Sequence, residues 1–242
     1  MLTLKVISAL LCYPQADLQA ARDEMVTAVT QEALLSPTDE AAVLDLIQQI
    51  AGADLMDLQE QYVALFDRGR SLSLHLFEHI HGESRDRGQA MVNLMQVYRA
   101  HGFTISAHEL PDYLPLLLEY LSQRPREEAH ELLTDAMPVI SLLGARLQKA
   151  GSPYHVLFKA LESFAGAPAE LAAIHANVAA EGPDQTLIRM DEIWEEEAVR
   201  FLGAPSVCEA GSRPAATPVP WRSRSVTHRA ATKLPPASTG DR

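Results

Sequence analysis

Between Leu65 and Met91 the chain reads LFDRGRSLSLHLFEHIHGESRDRGQAM. Asp67, Arg68, Arg70, His75, Glu78, His79, His81, Glu83, Arg85, Asp86 and Arg87 fall within 21 residues there. His75 and His79 are four apart, so on a helix they would share a face. With Glu78 or Glu83 they would make a three-ligand metal set, the basis of an all-helical metal-dependent enzyme. The zinc-hydrolase pattern needs a glutamate general base directly after the first histidine, and Leu76 stands in that place. The same residues have a second use: an ion-pair and capping network that fixes a loop between two helices, with Gly69, Gly82 and Gly88 providing its turns.

A second polar segment, HELPDYLPLLLEYL over residues 108–121, sets Glu109, Asp112 and Glu119 beside a leucine run. Glu109 and Asp112 suit the open backbone donors at a helix start. They would equally form an acidic-aromatic rim beside an apolar wall, a surface fit for an amphipathic peptide carrying cations.

Other chemistries lack their sequence signs. There is no Gly-x-x-x-x-Gly-Lys loop, no Gly-x-Gly-x-x-Gly turn and no Gly-x-Ser-x-Gly elbow. The two cysteines, Cys12 and Cys208, are too few for a four-thiolate zinc site or a disulfide framework. No apolar run approaches the roughly 20 residues that span a bilayer. Val6–Cys12 could pass for the core of a signal or lipoprotein leader, but Leu11 stands before the cysteine where cleavage needs a small residue, so a short buried helix is expected. Residues 1–203 carry 14 Lys and Arg against 30 Asp and Glu, a balance of −16, whereas residues 204–242 carry 6 against 2, a balance of +4. Such an acidic body repels nucleic-acid phosphates and favours a basic partner.

The elements that must position these groups read as helix after helix. Leu and Ala dominate the 47% apolar share, aromatics are 6%, and no segment alternates with period two. Helices are expected over Leu2–Leu11, stopped by Tyr13-Pro14, and over Ala16–Leu34. The next starts near Ser36-Pro37-Thr38, with Thr38 as cap. Asp54 caps a helix with the stripe Leu55, Leu58, Tyr62 and Leu65. Asp86–His101 is closed by Gly102. Pro111 and Pro115 open a helix through Tyr120. Pro125 opens a long stretch to Gly151 that Pro138 must kink or split. Pro153–Phe164, Pro168–Ala179 and Asp184–Phe201 complete the set. From Ala204 onward Pro, Ser, Thr and Arg replace any hydrophobic period.

Several strings carry a resemblance. Residues 62–70 (YVALFDRGR) and 76–91 (LFEHIHGESRDRGQAM) closely resemble the NarJ-type assembly chaperones of respiratory nitrate reductase, within the wider TorD-like set of molybdoenzyme chaperones. Residues 109–115 (ELPDYLP), 142–147 (LLGARL), 11–14 (LCYP) and 194–199 (WEEEAV) are similar to the same family. The resemblance spans about residues 1–203. It implies a cytoplasmic, all-helical binding protein rather than an enzyme, without a metal or cofactor of its own. Its partner would be the catalytic (alpha) subunit of nitrate reductase, held by its N-terminal twin-arginine-like segment until molybdenum cofactor and iron–sulfur clusters are inserted. The chaperone would not remain in the finished enzyme. The wider family usually has His after Pro-Asp. Tyr113 stands there instead, keeping an aromatic ring with a polar tip but not a group that titrates near neutral pH.

Together these readings give an all-α single domain over 1–203 and a disordered tail over 204–242. Tyr62, Leu65, Phe66, Glu109, Asp112, Tyr113 and Glu119 are expected to touch the peptide, the acids as a solvent-facing rim. Asp67, Arg68, Gly69, Arg70, Glu78, His79, Gly82, Glu83, Asp86 and Arg87 are expected to shape the site. No nucleic acid and no membrane insertion are expected.

Overall fold

The computed structural model describes residues 1–82, 84–105 and 109–182. The expected helix Asp184–Phe201, the tail and Glu83 lie outside these. Among the described residues there are eleven α-helices and no strand. The all-α expectation therefore holds for this part of the chain.

α1 (Leu2–Leu10) is apolar almost all round, which only a buried helix tolerates; Leu4, Val6, Ile7 and Leu10 are all buried. The stretch expected as one helix over 16–34 is two, α2 (Ala16–Ala20) and α3 (Arg22–Glu32). α3 ends where Ala33 turns left-handed, at φ 48°. α4 (Pro37–Gly52) is capped by Ser36 rather than Thr38: the Asp39 amide donates to Ser36 Oγ at 3.2 Å. Pro37 decides this, because proline suits the first helical position and so pushes the cap one residue back. α5 (Leu55–Tyr62) is capped as expected, Asp54 accepting from the Met56 and Asp57 amides.

α6 (Leu76–His81) lies inside the segment expected to be loop, and α7 (Asp86–Ala100) follows it. α8 (Leu114–Ser122) has Pro115 in its first turn, but Pro111 lies before it, where its carbonyl accepts from the buried Tyr98 hydroxyl at 2.9 Å. α9 (Arg126–Lys149) runs as one helix of 24 residues through Pro138. The proline neither splits it nor ends it, because Met137 and Ile140 beside it are sunk in the core. α10 (His155–Ala165) and α11 (Leu171–Ala180) both pack on α9, and α10 also packs on α4. Gly144 lets α9 and α10 close up, since a Cβ there would sit 2.8 Å from Phe158 Cβ.

One contiguous core runs through these helices. α1 lies against α8 and α3, and the buried Ser8 hydroxyl donates to Pro115 O at 2.6 Å across the first contact. Among the described residues no helix is long and apolar enough to cross a membrane.

Candidate functional site

Two local irregularities build the site. The first is at the end of α5, where the helix widens into a π turn over Val63–Asp67 and the Arg68 amide donates to Val63 O at 3.1 Å. The extra residue in that turn shifts the buried stripe. Phe66 is buried, whereas Leu65, which the even helical spacing favoured, is only half-buried and does not line the cleft described below. Single π turns of this kind recur at functional sites.

The second is an isolated antiparallel bridge between His75 and Tyr113. The Leu76 amide donates to Asp112 O at 3.0 Å and the Leu114 amide to Leu74 O at 2.9 Å. This bridge ties the start of α6 to the start of α8. Asp112 sits at its centre with a fully buried side chain, 0% exposed. One carboxylate oxygen accepts from the Phe77 amide at 3.1 Å, the other from His75 Nδ1 at 3.3 Å, and Arg87 Nη2 lies 3.9 Å away. Asp112 was expected on a solvent-facing rim, and this placement corrects that. The acid serves the Phe77 amide in the first turn of α6, a helix absent from the sequence reading, and no surface remains for a peptide cation.

Between the two irregularities opens a cleft of about 620 Å³. Tyr13, Tyr62, Phe66 and Tyr113 form its aromatic wall, and Asp67, Arg68, Gly69, Arg70, His75 and Glu78 its polar edge. The aromatic wall is a chain of ring contacts. Tyr13 meets Tyr62 edge-on at 5.6 Å, Tyr62 meets Phe66 at 4.9 Å, and Phe66 meets Tyr154 edge-on at 5.4 Å. The Tyr62 hydroxyl donates to Leu11 O at 2.9 Å and lies 3.2 Å from the Tyr113 hydroxyl. Its proton being committed to Leu11, Tyr113 is the donor of that pair. Burial pushes the Tyr113 hydroxyl up to about 12, with the charge of Glu109 adding to the rise. Burial also pushes the nearby Cys12 thiol up to about 11, helped by Glu119 and Glu109. Both glutamates are exposed, and neither lines the cleft. Glu109 itself lines a neighbouring groove with Met91, Met95 and Leu110.

The polar edge carries both signs of charge. Asp67, Arg68 and Arg70 are exposed. Glu78 is half-buried and accepts from Arg87 Nη2 at 3.2 Å. Burial alone would raise its carboxyl, but the Ser73 hydrogen bond and the Arg87 charge outweigh it and hold it below the usual carboxylate range. Gly82 ends α6 with φ 54°. Asp86 begins α7 on the surface, accepting from Ser84 Oγ at 3.2 Å.

The histidines do not share a helical face. His75 precedes α6 and stacks on Tyr113 at 5.3 Å, while His79 Nε2 donates to Ser73 O at 2.8 Å. Among the described residues no group of three or more His, Cys, Asp and Glu is arranged to hold a metal ion. Tyr13, Val63, Ser73 and Leu74 line the cleft without having been expected. Tyr13 stands in the Leu-Cys-Tyr-Pro string, where the following proline drew attention only to a helix stop.

Comparison with known proteins points one way. The sequence profile described as nitrate reductase delta subunit matches residues 18–160. The chain is 45% identical over 202 residues to the nitrate reductase molybdenum cofactor assembly chaperone NarJ of Escherichia coli K12, covering 84% of this chain and 86% of that one. It is 42% identical over 200 residues to the same bacterium's NarW, also named as such a chaperone, covering 82% and 83%. A solved redox enzyme maturation protein from Archaeoglobus fulgidus shares the fold, with a TM-score of 0.50 at 19% identity over 66% of this chain and 90% of that one. The chain therefore belongs to the nitrate reductase delta subunit family, that of the NarJ-type molybdenum cofactor assembly chaperones, which are not enzymes.

Proposed function

We propose that this protein is a cytoplasmic assembly chaperone that binds the N-terminal, twin-arginine-like segment of the apo nitrate reductase catalytic subunit. It holds that subunit open to molybdenum cofactor and iron–sulfur insertion and leaves before the enzyme is complete. The observation that carries this reading is the aromatic-walled cleft, whose 620 Å³ lies within the range of ordinary ligand pockets. A cleft of that size seats the anchor side chains of one face of an amphipathic helix, not the whole peptide. Tyr62, Phe66 and Tyr113 supply the apolar contact. Glu109 and Glu119, with Asp67 and Glu78 on the polar edge, supply negative charge for the peptide's cations. Leu65 and Asp112 act behind the wall, through packing and through the bridge.

Calorimetric titration of the full chain with a synthetic N-terminal peptide of the catalytic subunit tests this. Exposed carboxylates contribute about 0–1 kcal/mol each and are screened by salt. Glu109→Gln with Glu119→Gln should therefore weaken binding at low salt and lose that effect at high salt. Tyr113→Ala should weaken it at both. Binding that is indifferent to all three substitutions would place the peptide elsewhere.

A further inference from the structure

The cleft's polar edge is held from behind by one side chain of α9. Arg146 is half-buried, and its Nη1 donates to Ser71 O at 3.0 Å. Ser71 directly follows the Asp67-Arg68-Gly69-Arg70 turn. Two residues on, Ser73 lines the cleft; its amide donates to Arg70 O at 3.3 Å and its carbonyl accepts from His79. The rest of the same guanidinium grips Glu181 with two bonds, Nε to Oε2 at 2.9 Å and Nη2 to Oε1 at 2.6 Å. That is the two-pronged geometry only arginine offers. The Arg146 hydrogen bond holds the Glu181 carboxyl below its usual range, against the opposing effect of burial, so the pair is ionised at neutral pH. One turn further on, Lys149 Nζ donates to Val178 O at 2.7 Å and Glu181 O at 2.6 Å, capping the end of α11. The last turn of α9 thus grips the cleft's edge with one hand and the chain end of α11 with the other.

We propose that Arg146 is a positioning residue of the cleft, setting the Arg68–Ser73 edge through Ser71 and making that edge answer to Glu181 at the end of α11. The proposal rests on the reading of the cleft as the peptide site. It adds two residues outside the cleft, Arg146 and Glu181, whose loss changes peptide binding without either touching the peptide.

The test uses the full chain as Arg146→Met, Arg146→Lys, Glu181→Gln and the Arg146→Met/Glu181→Gln double variant. Affinity for the synthetic N-terminal peptide is read by calorimetry, and the free proteins are compared by NMR. Coupling of this kind is worth about 2- to 30-fold in affinity. Arg146→Met should weaken binding by about 5-fold or more, and Glu181→Gln by less. Lysine at 146, able to reach one partner but not both, should recover part of the loss. Because Glu181 acts only through Arg146, the double variant should bind no worse than Arg146→Met. The His79 ring separates charge from loosening: loosening relieves its burial and raises its midpoint in Arg146→Met and Arg146→Lys alike, whereas loss of the Arg146 charge raises it in the methionine variant alone. The ring faces the Arg146 charge as well as Glu78, Asp112 and the Ser73 carbonyl, so its titration midpoint should rise in Arg146→Met. Wild-type affinity in a folded Arg146→Met, or losses that simply add in the double variant, would overturn the proposal. If Arg146→Met does not fold, Glu181→Gln and Arg146→Lys decide by the same comparison. If no variant and not even the wild type takes up the peptide, the peptide reading fails. The clamp is then judged alone: Glu181→Gln must shift the Ser71–Ser73 amides, and unmoved amides would overturn it.

Discussion

Asp112 is the residue whose removal separates two accounts of this site most sharply. Its buried carboxylate satisfies the Phe77 amide and His75 Nδ1 and balances Arg87. Asp112→Ala leaves that amide without a partner, at about 1–3 kcal/mol. It also strips a half-buried arginine of one of its two acids; breaking a buried charge pair from one side costs about 3–5 kcal/mol in total. Arg87 keeps Glu78 at 3.2 Å and is itself partly solvated, so the loss should fall near the lower end, about 3 kcal/mol. Asp112→Asn keeps an oxygen for the Phe77 amide and loses only the charge, so roughly half of that loss, about 1–2 kcal/mol, is expected. Urea denaturation, with the slope checked for constancy, measures both. A rim acid would behave in the opposite way, with unchanged stability and a salt-sensitive loss of peptide affinity. If both variants unfold within about 0.5 kcal/mol of wild type, the magnitude expected of an ordinary surface change, the buried-bridge reasoning is wrong.

Phe66→Ala should cost about 3–5 kcal/mol by urea denaturation, because Phe66 links the rings of Tyr62 and Tyr154. Any folded fraction should bind the N-terminal peptide weakly at every ionic strength. Gly144→Ala should destabilise by about 1–3 kcal/mol despite alanine's better helix propensity, since its Cβ meets Phe158 at 2.8 Å; an equal or higher melting temperature would show that α9 and α10 separate easily. His79 gives a pH dependence whose sign is fixed. Burial holds its imidazole below the ordinary 6.5, so the folded state binds the proton less well than the unfolded state. Stability should then fall as pH drops below about 6.5 toward the folded value. His79→Gln, measured by denaturation from pH 7.5 to 5, should flatten that limb; an unchanged limb would assign it to another group.

Much of the helical frame was legible because its signals are local. Asp54 before Leu55, Pro125 before Arg126 and Gly102 after His101 each act within one turn of themselves. The Ser36 cap was misread by two residues because Pro37 and Thr38 offer competing local signals, and only the proline's fixed backbone angle decides between them. The site was harder to read because it depends on distant partners. Asp112 and the Phe77 amide lie 35 residues apart. A carboxylate that serves a buried amide is spelled the same as one on a rim. The helix Leu76–His81 is too short for a hydrophobic period to declare itself, and it is stabilised by that distant acid. The π turn likewise adds one residue where even spacing favoured Leu65, and so turns Phe66 into the cleft wall. Tyr62, Phe66, Tyr113 and the Asp-Arg-Gly-Arg turn were recognisable as a set, but their common cleft follows from the His75–Tyr113 bridge, which no local pattern announces.

The central claim is that the aromatic cleft receives the N-terminal segment of the nitrate reductase catalytic subunit. The most direct measurement is an NMR titration of the isotope-labelled full chain with that synthetic peptide, following backbone amides. Saturable shifts should cluster at Tyr13, at Tyr62–Arg70, at Ser73–Glu78 and at Tyr113, with the amides of α4 and the middle of α9 unmoved. Shifts confined to the groove of Met91, Met95 and Leu110 or to the face of α10 and α11, or no saturable shift at all, would contradict it.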